Sequence, residues 1–265
     1  MKKYFAIAKT AFKAQIVYRF DVAMTALGTL WKLLFAWILW GAIFQGQESV
    51  SGFDFGGMLG YYLVVSFLSS MDQSSGVSFE LNERIRGGTF SKFMVLPASP
   101  QLQFMAQSLG ASFYYALFAL LAALLGALLF QIRMGFGAEP AALLCAFCLS
   151  ALGLVFMVSY HFFVGLLAFK FQEINFFLHL QGNLIALATG AMLPLSLLPK
   201  TVLELLNLLP FSQVGYLPAM LLTGRAGLGE GLKGLLVLVL WTAAFLAANR
   251  LLYERLRVQY DGVGI

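Results

Sequence analysis

What most narrows the folds open to this chain is the length of its unbroken apolar runs. Residues 114–130 read YYALFALLAALLGALLF, with no charge and no alternation of polar and apolar positions. A strand of a membrane barrel alternates over about ten residues, so such a run is helical. A helix needs roughly 20 apolar residues to cross a bilayer. Segments 20–44, 58–79, 104–130 and 141–169 meet that length at once, and 174–193 and 232–253 bring the expected spans to six. A chain that is 60% hydrophobic and only 11% charged, with a mean hydropathy of +0.84, lies outside the range of soluble domains. The expected class is an all-α integral membrane protein.

The placement of Lys and Arg sets the expected orientation. Lys2, Lys3, Lys9, Lys13, Arg19, Arg84, Arg86, Lys92, Lys170, Arg250, Arg255 and Arg257 fall on one side of the six spans. Only Arg133, Lys200, Arg225 and Lys233 fall on the other. Both termini and the loop after the second span are therefore expected in the cytoplasm. The net charge of +5 follows from the same bias, so it does not point to nucleic acid. Residues 1–19 open with lysines, but Lys9, Lys13 and Arg19 interrupt every apolar stretch, which argues against a secretory signal core. Phe5, Ile7, Ala8, Phe12, Ile16 and Phe20 share a stripe opposite the cations, as in a helix lying in the membrane interface. No connection is long enough to bury a core of its own. One transmembrane domain is expected over 1–265: an interfacial helix at 1–19, spans within 20–253 and a cytoplasmic tail at 254–265.

The longest connection, 194–231, is apolar but carries Pro194, Pro199, Pro210 and Pro218. No uninterrupted span tolerates that spacing. Two forms are open: short helices re-entering the outer leaflet with their irregular backbone buried against protein, or an amphipathic surface loop.

Sites for chemistry are sparse. No Gly-Lys dipeptide occurs, so a phosphate-cradling GxxxxGK[ST] loop is impossible, and any driving nucleotide must bind another chain. Cys145 and Cys148 stand at i and i+3 within one span without a second pair, the pattern of packed thiols rather than a metal site. His161 and His179 have no acidic neighbour at ligand spacing. Serines without a positioned base are helix glue. No catalytic residue and no metal site is expected.

Charges and polar stripes inside the spans need an account. Lys32 lies about 16 Å along its helix from Asp21, and Asp72 about 10 Å from the inner end of its own span. An unpaired charge there costs on the order of 3 kcal/mol, so a Lys32–Asp72 ion pair is expected. Ser66, Ser69, Ser70 and Gln73 follow i, i+3, i+4, i+7 spacing on the second span. The fifth carries Asn175, His179, Gln181 and Asn183. Each residue read singly is bundle glue, whereas the two stripes read jointly line a translocation path. Gly56 and Gly60 form a GxxxG pair, too common to settle how copies associate.

Between the second and third spans runs FELNERIRGGTFSKFMVLPASP, residues 79–100. Glu80, Glu83, Arg84 and Arg86 should prolong the second helix until Gly87 and Gly88 end it. Thr89 is then placed to cap a short helix whose Phe90, Phe93 and Met94 share a face, and Pro97 and Pro100 stop that helix before the third span. Two rigid pieces at a glycine corner can transmit a push, and an apolar face with charged flanks suits a groove on a soluble partner.

The stretch ERIRGGTFSKFMVLPASP resembles the cytoplasmic loop of ABC-2-type exporter permeases, with Glu83, Arg86, Gly88, Phe90, Pro97 and Ser99 at the matching positions. The order of parts is similar too: a basic interfacial helix, six spans, a Pro-broken segment before the last span, and a tail with Arg250, Tyr253 and YDGVGI. The resemblance implies a transmembrane subunit of the bacterial cytoplasmic membrane that pairs with a second permease, identical or paralogous. It further implies two cytoplasmic ATPase subunits holding ATP and Mg, with no cofactor on this chain, and an amphiphile or drug moved outward along spans two and five. On that footing Glu83, Arg84, Arg86, Gly87, Gly88, Phe90, Phe93 and Met94 receive the ATPase stroke. The rival classes are an ion-coupled secondary transporter, for which only Asp72 is suitably placed, and a membrane scaffold, which needs no polar stripes.

Overall fold

A computed structural model describes residues 2–96, 98–132, 139–171 and 174–259. The chain is 81% helical, with no strand among the described residues. Its α-helices in order are α1 (Lys2–Ala14), α2 (Arg19–Ile43), α3 (Phe55–Met71), α4 (Ser75–Arg86), α5 (Ser91–Val95), α6 (Pro100–Leu129), α7 (Pro140–Leu166), α8 (Asn175–Ala188), α9 (Lys200–Leu208), α10 (Pro210–Val214), α11 (Tyr216–Leu222) and α12 (Leu228–Leu256). Pro97, Arg133 and the YDGVGI tail lie outside the described residues.

Among the described residues four helices are long and apolar enough to cross a membrane: α2, α6, α7 with the turn that extends it to Phe169, and α12. The bent pair of α9 with α10–α11 would raise the number to five if it counts as one crossing. The expected second span is not continuous. It breaks after Met71, where Asp72 takes an extended conformation and its carboxylate accepts the Ser74 amide at 2.9 Å. Asp, Gln and Ser in MDQSSG offer the backbone local partners that compete with helix, which is why the break falls there. The expected fifth span is also short: α8 has 14 residues. It rises only about 21 Å, against a hydrocarbon core of roughly 30 Å.

The N-terminal helix α1 has no buried residue and lies along α6. Gly110 makes the approach possible, because a Cβ there would collide with the Ala8 backbone. Phe12 adds an edge-on contact with Tyr114 at 5.2 Å. The helix ends at Ala14, short of the expected Arg19, and four turn residues lead into α2.

Among the described residues the core falls into three clusters. One surrounds α3, which is buried along most of its length by α2, α6 and α11. A second joins α4 and α5 to the end of α7 and the start of α8. The third joins α7, α11 and α12. Close packing of α4 on α7 depends on Gly165, where a Cβ would strike Leu81. The Pro-broken segment forms short helices, with α9 and α10–α11 meeting at 80°. Pro210 begins α10, where its missing amide hydrogen costs nothing. No residue of α9 is buried, whereas α10 and α11 pack on α7, α12 and α3.

Candidate functional site

The site is the elbow between α4 and α5. Three polar residues near its start are tied together: Arg84 pairs with Glu80 at 2.6 Å, and Gln107 of α6 donates to the other oxygen of Glu80 at 3.4 Å. The helix ends where the glycines predict. Gly87 donates to the Glu83 carbonyl, and Gly88 sits at φ 71°, a left-handed conformation that a side chain would resist. Thr89 does not cap α5. Its hydroxyl turns back to the Arg84 carbonyl at 3.4 Å, and Phe90 occupies the position before the helix. The Phe90 amide also reaches the Arg84 carbonyl, at 3.1 Å, so the corner is closed by two donors on one acceptor.

The apolar face of α5 is the main correction to the sequence-based expectation. Phe90 is 0% and Phe93 8% exposed, and Met94 is half-buried. Phe93 stacks on Phe90 at 5.5 Å and on Phe104 of α6 at 5.1 Å. Phe90 meets Phe169 edge-on at 5.3 Å and Tyr253 of α12 at 6.3 Å. The Arg84 guanidinium covers Phe93 at 5.1 Å. The chain itself therefore fills the face that was expected to seat in a partner. Short helices cannot hold a fixed angle alone, and burying two aromatic rings is what fixes this one. The outward surface of the elbow consists instead of Glu83, Arg86, Gly87, Thr89, Ser91, Lys92, Val95 and Leu96, with Val95 83% exposed.

The expected Lys32–Asp72 pair is not formed. Lys32 is exposed on α2, and Asp72 is engaged with the Ser74 amide. An exposed lysine can draw its ammonium toward the interface, which lowers the cost of leaving it without an internal partner. The polar stripe of α3 splits by direction. Ser70 shares a hydrogen bond with Thr29 of α2 at 2.7 Å, and the Gln73 amide donates to Ser112 of α6 at 3.2 Å. Ser66 is buried, and only Ser69 is exposed, its hydroxyl bonded to the Val65 carbonyl.

On α8, Asn175 accepts from Asn82 at 2.7 Å, and His179 is exposed against the Phe79 ring at 5.2 Å. Asn183 is exposed. Gln181 is buried and accepts from Tyr160 at 3.0 Å. His161 of α7 is buried against Ser78 at 3.3 Å. Cys145 is buried and Cys148 exposed, both as free thiols.

A family model described as ABC-2 family transporter protein matches residues 30–264. The chain belongs to the ABC-2 transporter family. An ABC-2 protein is the permease component of an ABC transporter, a multi-pass membrane protein that associates with an ABC ATPase. The match takes in the elbow, both polar stripes and the Pro-broken segment, and leaves α1 and the first turns of α2 outside it. No curated protein matches the chain at a significant level.

Sequence reasoning about this ABC-2 protein missed a second fastening, far along the chain from the elbow. Arg225 pairs with Asp54 at 2.8 Å, donates to the Gly52 carbonyl and lies over the Phe53 ring at 4.2 Å. It ties the loop before α3 to the turn before α12. The available signal was two isolated opposite charges, Asp54 and Arg225, both expected on the same side of the membrane.

Proposed function

We propose that this ABC-2 protein is the transmembrane subunit of an ATP-driven exporter that moves an amphiphilic or drug-like substrate outward. In this account α3–α4 together and α8 complete six crossings, both termini are cytoplasmic, and the membrane is the bacterial cytoplasmic one. Two copies of a cytoplasmic ATPase, holding ATP and Mg, act on two permease chains, identical or paralogous. The family supports the ATPase partnership. The observation that carries the mechanism is the buried aromatic plug of Phe90 and Phe93.

A loop that merely met the ATPase would absorb its stroke. An elbow whose inner face is packed into α6, α7 and α12 passes displacement directly to those helices. Glu83, Arg86, Lys92 and Val95 form the contact surface. Arg84, Gly87 and Gly88 set the corner angle, and Phe90, Phe93 and Met94 carry the push inward. Ser69, His179 and Asn183 present polar groups on otherwise apolar exposed faces, and they line the path with Asn175 at its inner end. Ser66, Ser70 and Gln73 hold α3 in place beside it.

Val95→Asp is the direct test, because the side chain is exposed and its replacement leaves the core alone. The purified variant should keep wild-type thermal stability while losing co-purification with the cognate ATPase and the stimulation of ATP hydrolysis by amphiphiles. Unchanged coupling would overturn this contact surface. Transport driven by an ion gradient without the ATPase would overturn the exporter mechanism itself.

A further inference from the structure

Behind the elbow lies a half-open cavity of about 540 Å³, bounded by α5, the start of α6, α7 and the end of α12. Its inner wall is apolar, with Phe93, Phe162 and Leu246 among the lining residues, and its rim carries Arg250, Glu254 and Arg257. Arg250 reaches Glu254 at 3.3 Å, and the Arg257 guanidinium lies over Tyr253 at 5.7 Å. One carboxylate against two guanidiniums leaves the rim net positive.

Two wall atoms have unused hydrogen-bonding capacity. Asn249 is 0% exposed, and its amide nitrogen donates to the Ser159 carbonyl at 2.9 Å, but its Oδ1 is buried without a partner. The Nε2 of Gln101, at the start of α6, is likewise buried and unpaired. Buried carboxamide atoms are ordinarily satisfied, and a small side-chain rotation would bring this unpaired acceptor and this unpaired donor to a polar group held in the cavity.

We propose that this cavity binds the phosphate headgroup of an anionic phospholipid. Arg250, Arg257 and the Gln101 amide donate to the phosphate, and Asn249 accepts from a headgroup hydroxyl. The setting favours a lipid over a soluble phosphate. Within a few turns α12 passes from apolar Leu246 to the charged run 250–257, the pattern of a helix leaving hydrocarbon for the headgroup layer. The exposed Leu96 and Leu102 at the cavity offer a bed for an acyl chain. The site rests on α12 crossing the membrane as proposed above, and not on the ATPase contact. A lipid seated there touches Phe93 and braces the elbow against α12.

The test uses the purified full-length chain in detergent, titrated with phosphatidylglycerol, phosphatidylcholine or inorganic phosphate, and read by native mass spectrometry and thermal shift. Phosphatidylglycerol should be retained and should raise Tm, and the other two should do neither. The double variant Arg250→Gln/Arg257→Gln should bind phosphatidylglycerol about thirtyfold more weakly. Gln101→Leu removes the unpaired donor, so it should fold at least as well as the wild type yet hold the lipid less firmly. Equal retention of phosphatidylcholine, wild-type binding by the double variant, or full protection by inorganic phosphate would each overturn the assignment. A chain that binds phosphatidylglycerol but no ATPase would leave this site standing and remove the coupling mechanism.

Discussion

The elbow and the Arg225 fastening both join segments distant in sequence, but they do so by opposite means. At the elbow, Phe90, Phe93, Phe104, Phe169 and Tyr253 interlock away from solvent. At the other fastening a single guanidinium serves Asp54, Gly52 and Phe53, and the Asp54 side chain is 68% exposed. Ring packing is indifferent to salt and has no cheap intermediate between packed and unpacked. An exposed ion pair is worth little, is screened by salt and reforms readily. The elbow is thus the stiffer of the two joints, and the Arg225 end the one that parts at less cost.

Substitutions can break or sharpen that contrast. Phe90→Ala should cost the most, about 3–5 kcal/mol, seen as a large fall in Tm by tryptophan fluorescence in detergent. A loss under about 1 kcal/mol would mean that the plug does not hold the elbow. Gly88→Ala forces a side chain into the left-handed region and should cost about 1–2 kcal/mol by the same assay.

Tyr61→Phe comes next. It removes the 2.9 Å bond from the buried phenol to the Gly190 carbonyl, which fastens the start of α3 to the chain after α8. The expected loss is about 1 kcal/mol. Arg225→Ala should cost least, about 1 kcal/mol or less, and the difference from wild type should shrink at high salt. If Arg225→Ala rivalled Phe90→Ala, or if its effect ignored salt, the contrast between the two ends would fail.

Much of this was legible in the sequence because periodicity and punctuation are local. The long spans, the glycine end of α4, the short helix at the elbow and the helical turns within the Pro-broken segment follow from residue order alone. Four features were not read, each for a physical reason. The inward orientation of Phe90 and Phe93 depends on whether α6, α7 and α12 offer a socket, which no local pattern states. The fate of Lys32 and Asp72 turned on a nearer partner, the Ser74 amide, that outcompeted a distant lysine. The Arg225–Asp54 fastening joins residues 171 positions apart. The break at MDQSSG was visible in principle, since its residues favour local bonds over helix, but the surrounding hydrophobicity masked it.

That break has a mechanical meaning. Residues Met58 to Leu68 belong to the cluster around α3, while Val77, Leu81 and Ile85 belong to the one that includes the elbow. A stretch expected to be one rod is therefore a crease between two separately packed bodies. Torque applied below the crease could swing the lower body while the upper keeps its grip on α2 and α6, with residues 72–74 as the covalent link between two halves that also meet through α6 and α7.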